Sequence, residues 1–320
     1  MLTNRLFKFF INLLIFFFIL VSFDRIIGAV LKHYYFKQTS GLQYRTTYAM
    51  DSTRADILVF GSSRANHHYV PEVFEKKLNM SFYNTGRDGN FILYNYMVFQ
   101  SVINRYNPKI IIFDLNPNEL SYNKGEYERI ASLLPYYQEH NEIREIINKI
   151  DALEKLKLFS KIYPYNSMFL TIAVGNLELN KKRKTDFKGY VPLSKVMTDT
   201  ILLKYDNMIG NVDPELVKLL NEIAFKCNKN EIALYFVVSP IYMIISENSS
   251  IRLYKDISDK YGCSFDNFSN NSIFIKNPNY FSDEAHLNEN GAIMFSEIVA
   301  DSIALNLKPT YLSLKYETKQ

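Results

Sequence analysis

Apolar residues follow three different rhythms along this chain. From Leu6 to Phe23 they are nearly continuous, LFKFFINLLIFFFILVSF, broken by Lys8, Asn12 and Ser22. As a helix rising about 1.5 Å per residue, this run is roughly 27 Å long, close to a hydrocarbon core of about 30 Å. Phe, Leu and Ile occupy every side of it, which argues against a helix buried in a soluble core. Lys8 lies near one end, where its long stem reaches the headgroups. The run predicts one transmembrane helix.

From about Ala55 the rhythm changes to short apolar runs separated by longer helical stretches. Strands are expected at 56–60 (DILVF), 80–83, 109–113 (KIIIF), 232–238 (IALYFVV) and, last and shortest, 263–265. Runs of Ile, Val and Phe that do not alternate suit strands buried on both faces, as in a parallel sheet. Helices are expected at 71–78, where Pro71 falls in the first turn, and at 91–106. A third, at 213–227, opens Asp-Pro-Glu and carries Leu216, Leu219, Leu220, Ile223 and Ala224 on one face; a fourth covers 290–305. Strands alternating with helices imply an α/β fold, a three-layer αβα sandwich around a parallel sheet.

The third rhythm lies between Leu120 and about Leu203, where the alternation lapses into Lys-, Glu- and Tyr-rich sequence with helical segments such as 142–159. It reads as an insertion after the third strand, on the carboxyl edge where such folds bind ligands. Its basic run Lys181-Lys182-Arg183-Lys184 suits a solvated loop, or a contact with anionic polymer or lipid headgroups. The expected organisation is an anchor at 1–31, a linker at 32–54, the α/β domain at 55–310 with the insertion at about 120–203, and a tail at 311–320.

Charge and cysteine content narrow the partners. Lys and Arg number 37 against 33 Asp and Glu, a net charge of +4, too small an excess to make nucleic acid a default partner. Two cysteines, Cys227 and Cys263, exclude a disulfide-dense scaffold and a four-cysteine zinc site; each lies near the start of an expected strand, and in an exported protein the two can pair. Arg5 and Lys8 resemble the basic region of a signal peptide, but Ile26-Ile27-Gly28-Ala29 is a poor cleavage site, so an uncleaved signal anchor is expected. The expected topology is single-pass, with a short cytoplasmic N-terminus and an extracytoplasmic domain; Arg25, Lys32 and Lys37 beyond the span weaken the charge asymmetry.

Four short blocks occupy the positions where a parallel α/β sheet places a site. Gly61-Ser62-Ser63-Arg64 follows the first strand, so a serine is exposed at a strand-to-helix turn beside backbone N–H groups. Asn84-Thr85-Gly86-Arg87-Asp88-Gly89 follows the second, and Gly86 permits a close backbone approach. Asp114-Leu115-Asn116-Pro117-Asn118-Glu119 closes the third, with Asn116 as an amide donor or a simple turn former. Asp283-Glu284-Ala285-His286-Leu287-Asn288 precedes the last helix; an Asp three residues before a His can orient the imidazole as a general base toward a serine. No pair among Asp283, His286, His67 and His68 has a recognised metal-ligand spacing, and neither metal nor cofactor is expected.

Together these blocks resemble the SGNH, or GDSL-type, hydrolase superfamily, whose pattern runs in order through Ser63, Gly86, Asn116 and the Asp283-x-x-His286 pair. The resemblance covers about Asp56 to Leu307 in outline. It implies a flavodoxin-like αβα sandwich with Ser63 as nucleophile, His286 as base, Asp283 as its orienter, and the Ser63 N–H, Gly86 N–H and Asn116 side chain as oxyanion donors. Ser62 stands where the family usually has Asp, and the third block lacks the usual Gly-x-Asn-Asp form. Both departures are similar to the membrane-associated branch of alginate O-acetyltransferase-like and D-alanyl-lipoteichoic acid transfer proteins, which join an N-terminal span to an extracytoplasmic domain. That branch implies acyl transfer, expected to be acetyl, from a membrane donor partner to a cell-envelope polysaccharide or glycan. An esterase resolving the same acyl-enzyme with water is the alternative within this chemistry. A catalytically inactive, membrane-tethered binding or assembly protein is the alternative outside it.

Overall fold

Each expected run of Ile, Val and Phe becomes one strand of a single parallel sheet. The computed structural model describes residues 2–177, 179, 187–198, 201–205 and 211–307. Its strands are β1 (Ile57–Phe60), β2 (Phe82–Asn84), β3 (Ile110–Asp114), β4 (Leu203–Tyr205), β5 (Ala233–Val238), β6 (Met243–Ile245) and β7 (Ser264–Asn267). Five of them form the main sheet, in the order β2-β1-β3-β5-β7 with every pairing parallel. The register sets Ile57 beside both Phe82 and Ile110, Ile110 beside Ala233, and Tyr235 beside Ser264. The short β4 and β6 pair with each other, also in parallel, an element the sequence pattern does not suggest.

Successive side chains of a strand point to opposite faces, so a sheet covered on both sides needs apolar residues at every position. One face, Ile57, Val59, Ile110, Ile112, Tyr235 and Val237, packs with Phe74, Phe295, Val299 and Ile303. Phe74 belongs to the helix Pro71–Leu78, and the other three to the last helix, Glu289–Asn306. On the other face Phe60 lies 6.1 Å from Phe99 of the helix Ile92–Ile103 and 6.0 Å from Phe113. The helix Pro214–Lys229 also packs on β5, burying Leu216, Leu219, Leu220 and Ile223. The α/β class and the parallel sheet are as the alternation implied. Cys227 and Cys263 are both free thiols, Cys227 buried.

The first helix, α1 (Leu2–Phe36), is longer than the apolar run, about 52 Å at 1.5 Å per residue. It is long and apolar enough to cross a membrane, with a mean hydropathy of 2.5 in its most apolar stretch and none of that stretch buried. Residues expected as a linker after position 31 are largely helical: α1 runs on to Phe36, and α2 covers Gly41–Asp51. The reason lies in their partners. Contacts divide the chain into two compact units, Met1–Thr47 with Ile130–Arg183, and Tyr48–Arg129 with Lys184–Gln320. The middle of the expected insertion therefore belongs with α1. The basic run at 181–184 and the tail at 311–320 lie outside the described residues.

Inside the first unit, residues just past the apolar run make specific contacts. The Asp24 carboxylate accepts the Lys161 N–H at 2.9 Å and the Ile162 N–H at 3.4 Å, and Arg25 donates to the Phe159 carbonyl at 2.6 Å. Tyr35 is fully buried, with the rings of Tyr136 and Tyr165 5.8 and 5.7 Å away. The expected single helical segment at 142–159 is two helices, Asn141–Ile150 and Glu154–Lys157. Asp151 separates them because its carboxylate takes the Leu153 N–H at 2.8 Å, an alternative to the helical bond. At Gly28 the backbone of α1 meets Lys161 so closely that a Cβ would stand 2.4 Å from the Lys161 Cβ. Gly28→Leu should therefore cost about 1–3 kcal/mol through overpacking. In detergent, limited proteolysis near residues 150–165 should be faster than in the wild type; unchanged cleavage would show that this contact does not hold the unit.

Candidate functional site

The site begins with a glycine. Gly61 leaves β1 at φ +143°, a backbone conformation that side chains rarely adopt, and a Cβ there would lie 2.7 Å from the Asp114 carbonyl oxygen. Its N–H is held by Asn95 Oδ1 at 3.2 Å, and its carbonyl accepts the Arg87 N–H at 3.1 Å. This turn delivers the chain into α3 (Ser63–His68), with Ser63 as first residue at the carboxyl end of β1. The Ser63 N–H has no protein partner among the described residues.

Ser63 and His286 are 223 positions apart, yet Ser63 Oγ lies 2.7 Å from His286 Nε2. His286 Nδ1 stands 2.9 Å from Asp283 Oδ1 and 3.1 Å from Oδ2. Asp283 Oδ1 also accepts the Ala285 and His286 N–H groups, at 2.9 and 3.0 Å, which closes the turn on its own base. Burial alone would raise the Asp283 carboxyl; the hydrogen bond and charge of His286, with those two amides, hold it below its ordinary value. An ionised Asp283 accepts the hydrogen bond of the Nδ1–H, which leaves Nε2 as an acceptor for the Ser63 hydroxyl. The side chains of His286 and Asp283 remain 23% and 50% exposed, so solvent reaches both.

Four further hydrogen bonds aim the loop that carries His286. Leu287 N–H donates to His68 Nε2 at 2.9 Å, and His68 Nδ1 is 3.2 Å from Ser239 Oγ. Asn288 caps the last helix through the Gly291 N–H at 3.1 Å and donates to the Asn279 carbonyl at 2.7 Å. Beside the triad, the His67 ring centroid is 5.6 Å from that of His286. His67 Nδ1 meets the Val191 carbonyl at 2.6 Å, and its Nε2 is 3.4 Å from Asp88 Oδ1, which also accepts Asn66 Nδ2 at 2.7 Å. Val191, near the end of the expected insertion, thus lies against α3 at Asn66 and His67. No pattern in the sequence gives His68, Asn66, Asp88 or Val191 a role at the site; the one signal for His68 is its place four residues after Arg64.

The structure brings Ser63, His286 and Asp283 together, whereas the two other expected oxyanion donors are already engaged. The Gly86 N–H donates to Asn84 Oδ1 at 2.9 Å. Asn116 Nδ2 donates to Glu119 Oε2 at 2.8 Å, and the same oxygen accepts the Asn116 N–H at 2.6 Å. Asp114 is buried, accepts the Tyr69 hydroxyl at 2.6 Å and lies 3.6 Å from the Arg64 guanidinium. Among the described residues no group of three or more His, Cys, Asp or Glu is arranged to hold a metal ion.

Two buried carboxyls near the third block give the molecule a pH signature. Burial pushes Glu119 up to about 7 and Glu126 up to about 8, against an ordinary value of 4.5, with hydrogen bonds from Asn116 and Leu93 opposing the rise. The folded chain thus keeps protons that the unfolded chain has released. Stability from these groups is complete below about pH 4.5 and is lost as pH rises through about 7 and 8. The melting temperature should fall from about pH 5 to about pH 8, and Glu119→Gln with Glu126→Gln should flatten that fall while keeping an acceptor at each position. An identical slope in the double variant would place the carboxylates, ionised, in the folded state.

Compared with known proteins, the chain matches no family model and no curated protein.

Proposed function

We propose that this protein is a membrane-anchored serine acyltransferase of SGNH type, carrying an acyl group, expected to be acetyl, on Ser63 and passing it to a hydroxyl of a cell-envelope glycan. The observation that carries the reading is the Ser63–His286–Asp283 chain, 2.7 Å and then 2.9 Å long. A serine hydroxyl is a weak nucleophile until a base lies within about 2.6–3.2 Å, and this one has it. The strand order β2-β1-β3-β5-β7, with Ser63 at the carboxyl end of β1, is compatible with the flavodoxin-like sandwich of that superfamily.

In this reading Ser63 Oγ attacks the acyl carbonyl while His286 Nε2 takes its proton, and Asp283 holds the imidazolium that forms. The proton then passes to the leaving group, and the acceptor hydroxyl reverses the sequence. The continuous helix α1, whose residues Asp24, Gly28 and Tyr35 pack within the first unit, supports an uncleaved anchor. With the triad-bearing unit placed outside the cytoplasm, the acyl donor would be delivered by a membrane partner protein. Solvent access to His286 and Asp283 favours a second reading, an esterase in which water resolves the same acyl-enzyme.

The test is turnover of an activated acetyl ester by the purified full-length chain, with and without an oligosaccharide acceptor. Ser63→Ala and His286→Ala should each lower turnover about 10³-fold or more, and Asp283→Asn roughly 10²–10⁴-fold, with melting temperatures close to wild type. Ser62→Ala should stay within about tenfold, since Ser62 shapes the turn without attacking. Acetylated oligosaccharide among the products separates transfer from hydrolysis. A dead Ser62→Ala beside an active Ser63→Ala would move the nucleophile by one position. Four variants that all behave as wild type would leave a tethered binding or assembly protein.

A further inference from the structure

The first unit carries exposed apolar side chains beyond the membrane-length run, and their position relative to α1 is fixed by hydrogen bonds. Leu153, Leu156 and Phe159 are 64%, 74% and 69% exposed, at a spacing of three residues. Such a cluster on a water-facing surface is unfavourable unless something apolar covers it. Its tether says what does. The Phe159 carbonyl is bonded to Arg25, the Arg25 guanidinium lies 4.9 Å from the centre of the Phe159 ring, and Asp24 takes the N–H groups of Lys161 and Ile162. Asp24 and Arg25 are the first charged residues after the run that ends at Phe23. Phe159 is thus held at the level where α1 leaves its apolar stretch.

Apolar exposure on α1 also continues past Phe23, through Ile26, Ile27 and Val30. Residues 26–30 of α1 and the segment 153–159 thus both expose apolar side chains near the level of the tether to Arg25. Lys155, between Leu153 and Leu156, and Lys161, two residues after Phe159, are both exposed. Apolar side chains interleaved with lysines suit the boundary between acyl chains and headgroups, where the stems remain in apolar surroundings and the ammonium groups meet phosphate.

We propose that the segment 153–161 is an interfacial lipid-docking surface, which seats the first unit on the bilayer that α1 crosses and fixes the unit's tilt and height. The inference rests on reading α1 as a membrane anchor. A lone helix lets the residues attached to its end swing freely; a second contact beside the exit point removes that freedom.

The chain contains no tryptophan, so single Trp substitutions report on their own surroundings without background. The full-length protein would be reconstituted in vesicles of phosphatidylcholine and phosphatidylglycerol, with bromine on the acyl chains either near the headgroup or deep. Phe16→Trp reports the anchor, Phe159→Trp and Leu156→Trp the proposed surface, and Phe225→Trp an exposed position on the helix Pro214–Lys229. Phe159→Trp and Leu156→Trp should lose about half of their emission or more to bromine near the headgroup, Phe16→Trp should be quenched by deep bromine, and Phe225→Trp by neither. If Phe16→Trp is quenched while Phe159→Trp and Leu156→Trp are not, the anchor stands and the docking surface is refuted. Blue-shifted but unquenched emission at 156 and 159 would mean a protein partner covers them, which also refutes it. An unquenched Phe16→Trp overturns the anchor, and the proposal with it.

Discussion

The neutral ring of His68 is the contact on which the site depends. Ser63 starts a helix of six residues, and His286 sits in a loop 223 positions later, so neither can find the other by local structure. His68, on the same short helix as Ser63, accepts the Leu287 N–H on Nε2 and therefore presents a protonated Nδ1 to Ser239 Oγ. Its own carbonyl accepts Ser296 Oγ, which in turn accepts the Val70 N–H. Protonation would remove the Nε2 lone pair and release Leu287. Burial opposes that first, and the positive charge that His286, Arg64 and His67 can carry opposes it further, so the ring's pKa lies well below its ordinary value. A charge on His286 would thus help to keep its neighbour His68 uncharged.

Arg64 completes this arrangement from one helical turn earlier. Positions i and i+4 share a helix face, and Arg64 and His68 both reach Ser239, at its carbonyl (3.3 Å) and its hydroxyl (3.2 Å). Arg64 also donates to the Leu115 carbonyl at 2.7 Å and faces the buried Asp114, whose carboxyl burial raises despite that cation. A buried pair of this kind is weak evidence for stability, because desolvation offsets most of the attraction. What it does is positional. Fixed donors on one face of α3 bind the ends of β3 and β5, and this sets the height of Ser63 above the sheet.

How much of the molecule is legible in the sequence depends on how local each signal is. β1, β3 and β5 are readable because burial on both faces writes a continuous apolar run, whereas β2 (FYN) and β7 (SFDN) at the sheet edges leave weaker signals; the last helix is readable because Asn288 and the periodic apolar residues mark it. Asp283 and His286 are three residues apart, so their pairing is local, and Ser63 is readable from the turn after β1. The contacts made by Gly86 and Asn116 are not, since they depend on where Asn84 and Glu119 turn their side chains. The helix Ser249–Tyr261 has its signals in place, with Asn248 capping it and Gly262 ending it at φ +68°, but its apolar residues are too sparse to announce it. The segment 130–183 reads as part of the α/β domain because its true partners, Asp24, Gly28 and Tyr35, lie more than a hundred residues earlier and look like the tail of an anchor.

On the proposed chemistry, the triad is the better furnished half of the site. An acyl-enzyme on Ser63 needs donors for the oxygen that becomes negative, and losing one such donor costs about 2.7–4 kcal/mol in the transition state. Of the three groups expected to serve, the Ser63 N–H is uncommitted, the Gly86 N–H serves Asn84, and the Asn116 amide serves Glu119. The two engaged donors differ in what their release costs. Releasing Gly86 would leave the buried Asn84 Oδ1 without a donor, a cost of about 1–3 kcal/mol, while Asn84 Nδ2 keeps its bond to the Ala65 carbonyl at 2.6 Å. Asn116 would leave Glu119 Oε2 with a single donor in a buried place where Oε1 already has none. The gain from a second oxyanion donor is of the same order as, or larger than, either cost. On the proposed chemistry Gly86 and Asn116 each complete the site only by giving up a present partner, and the Ser63 N–H is the one expected donor already uncommitted.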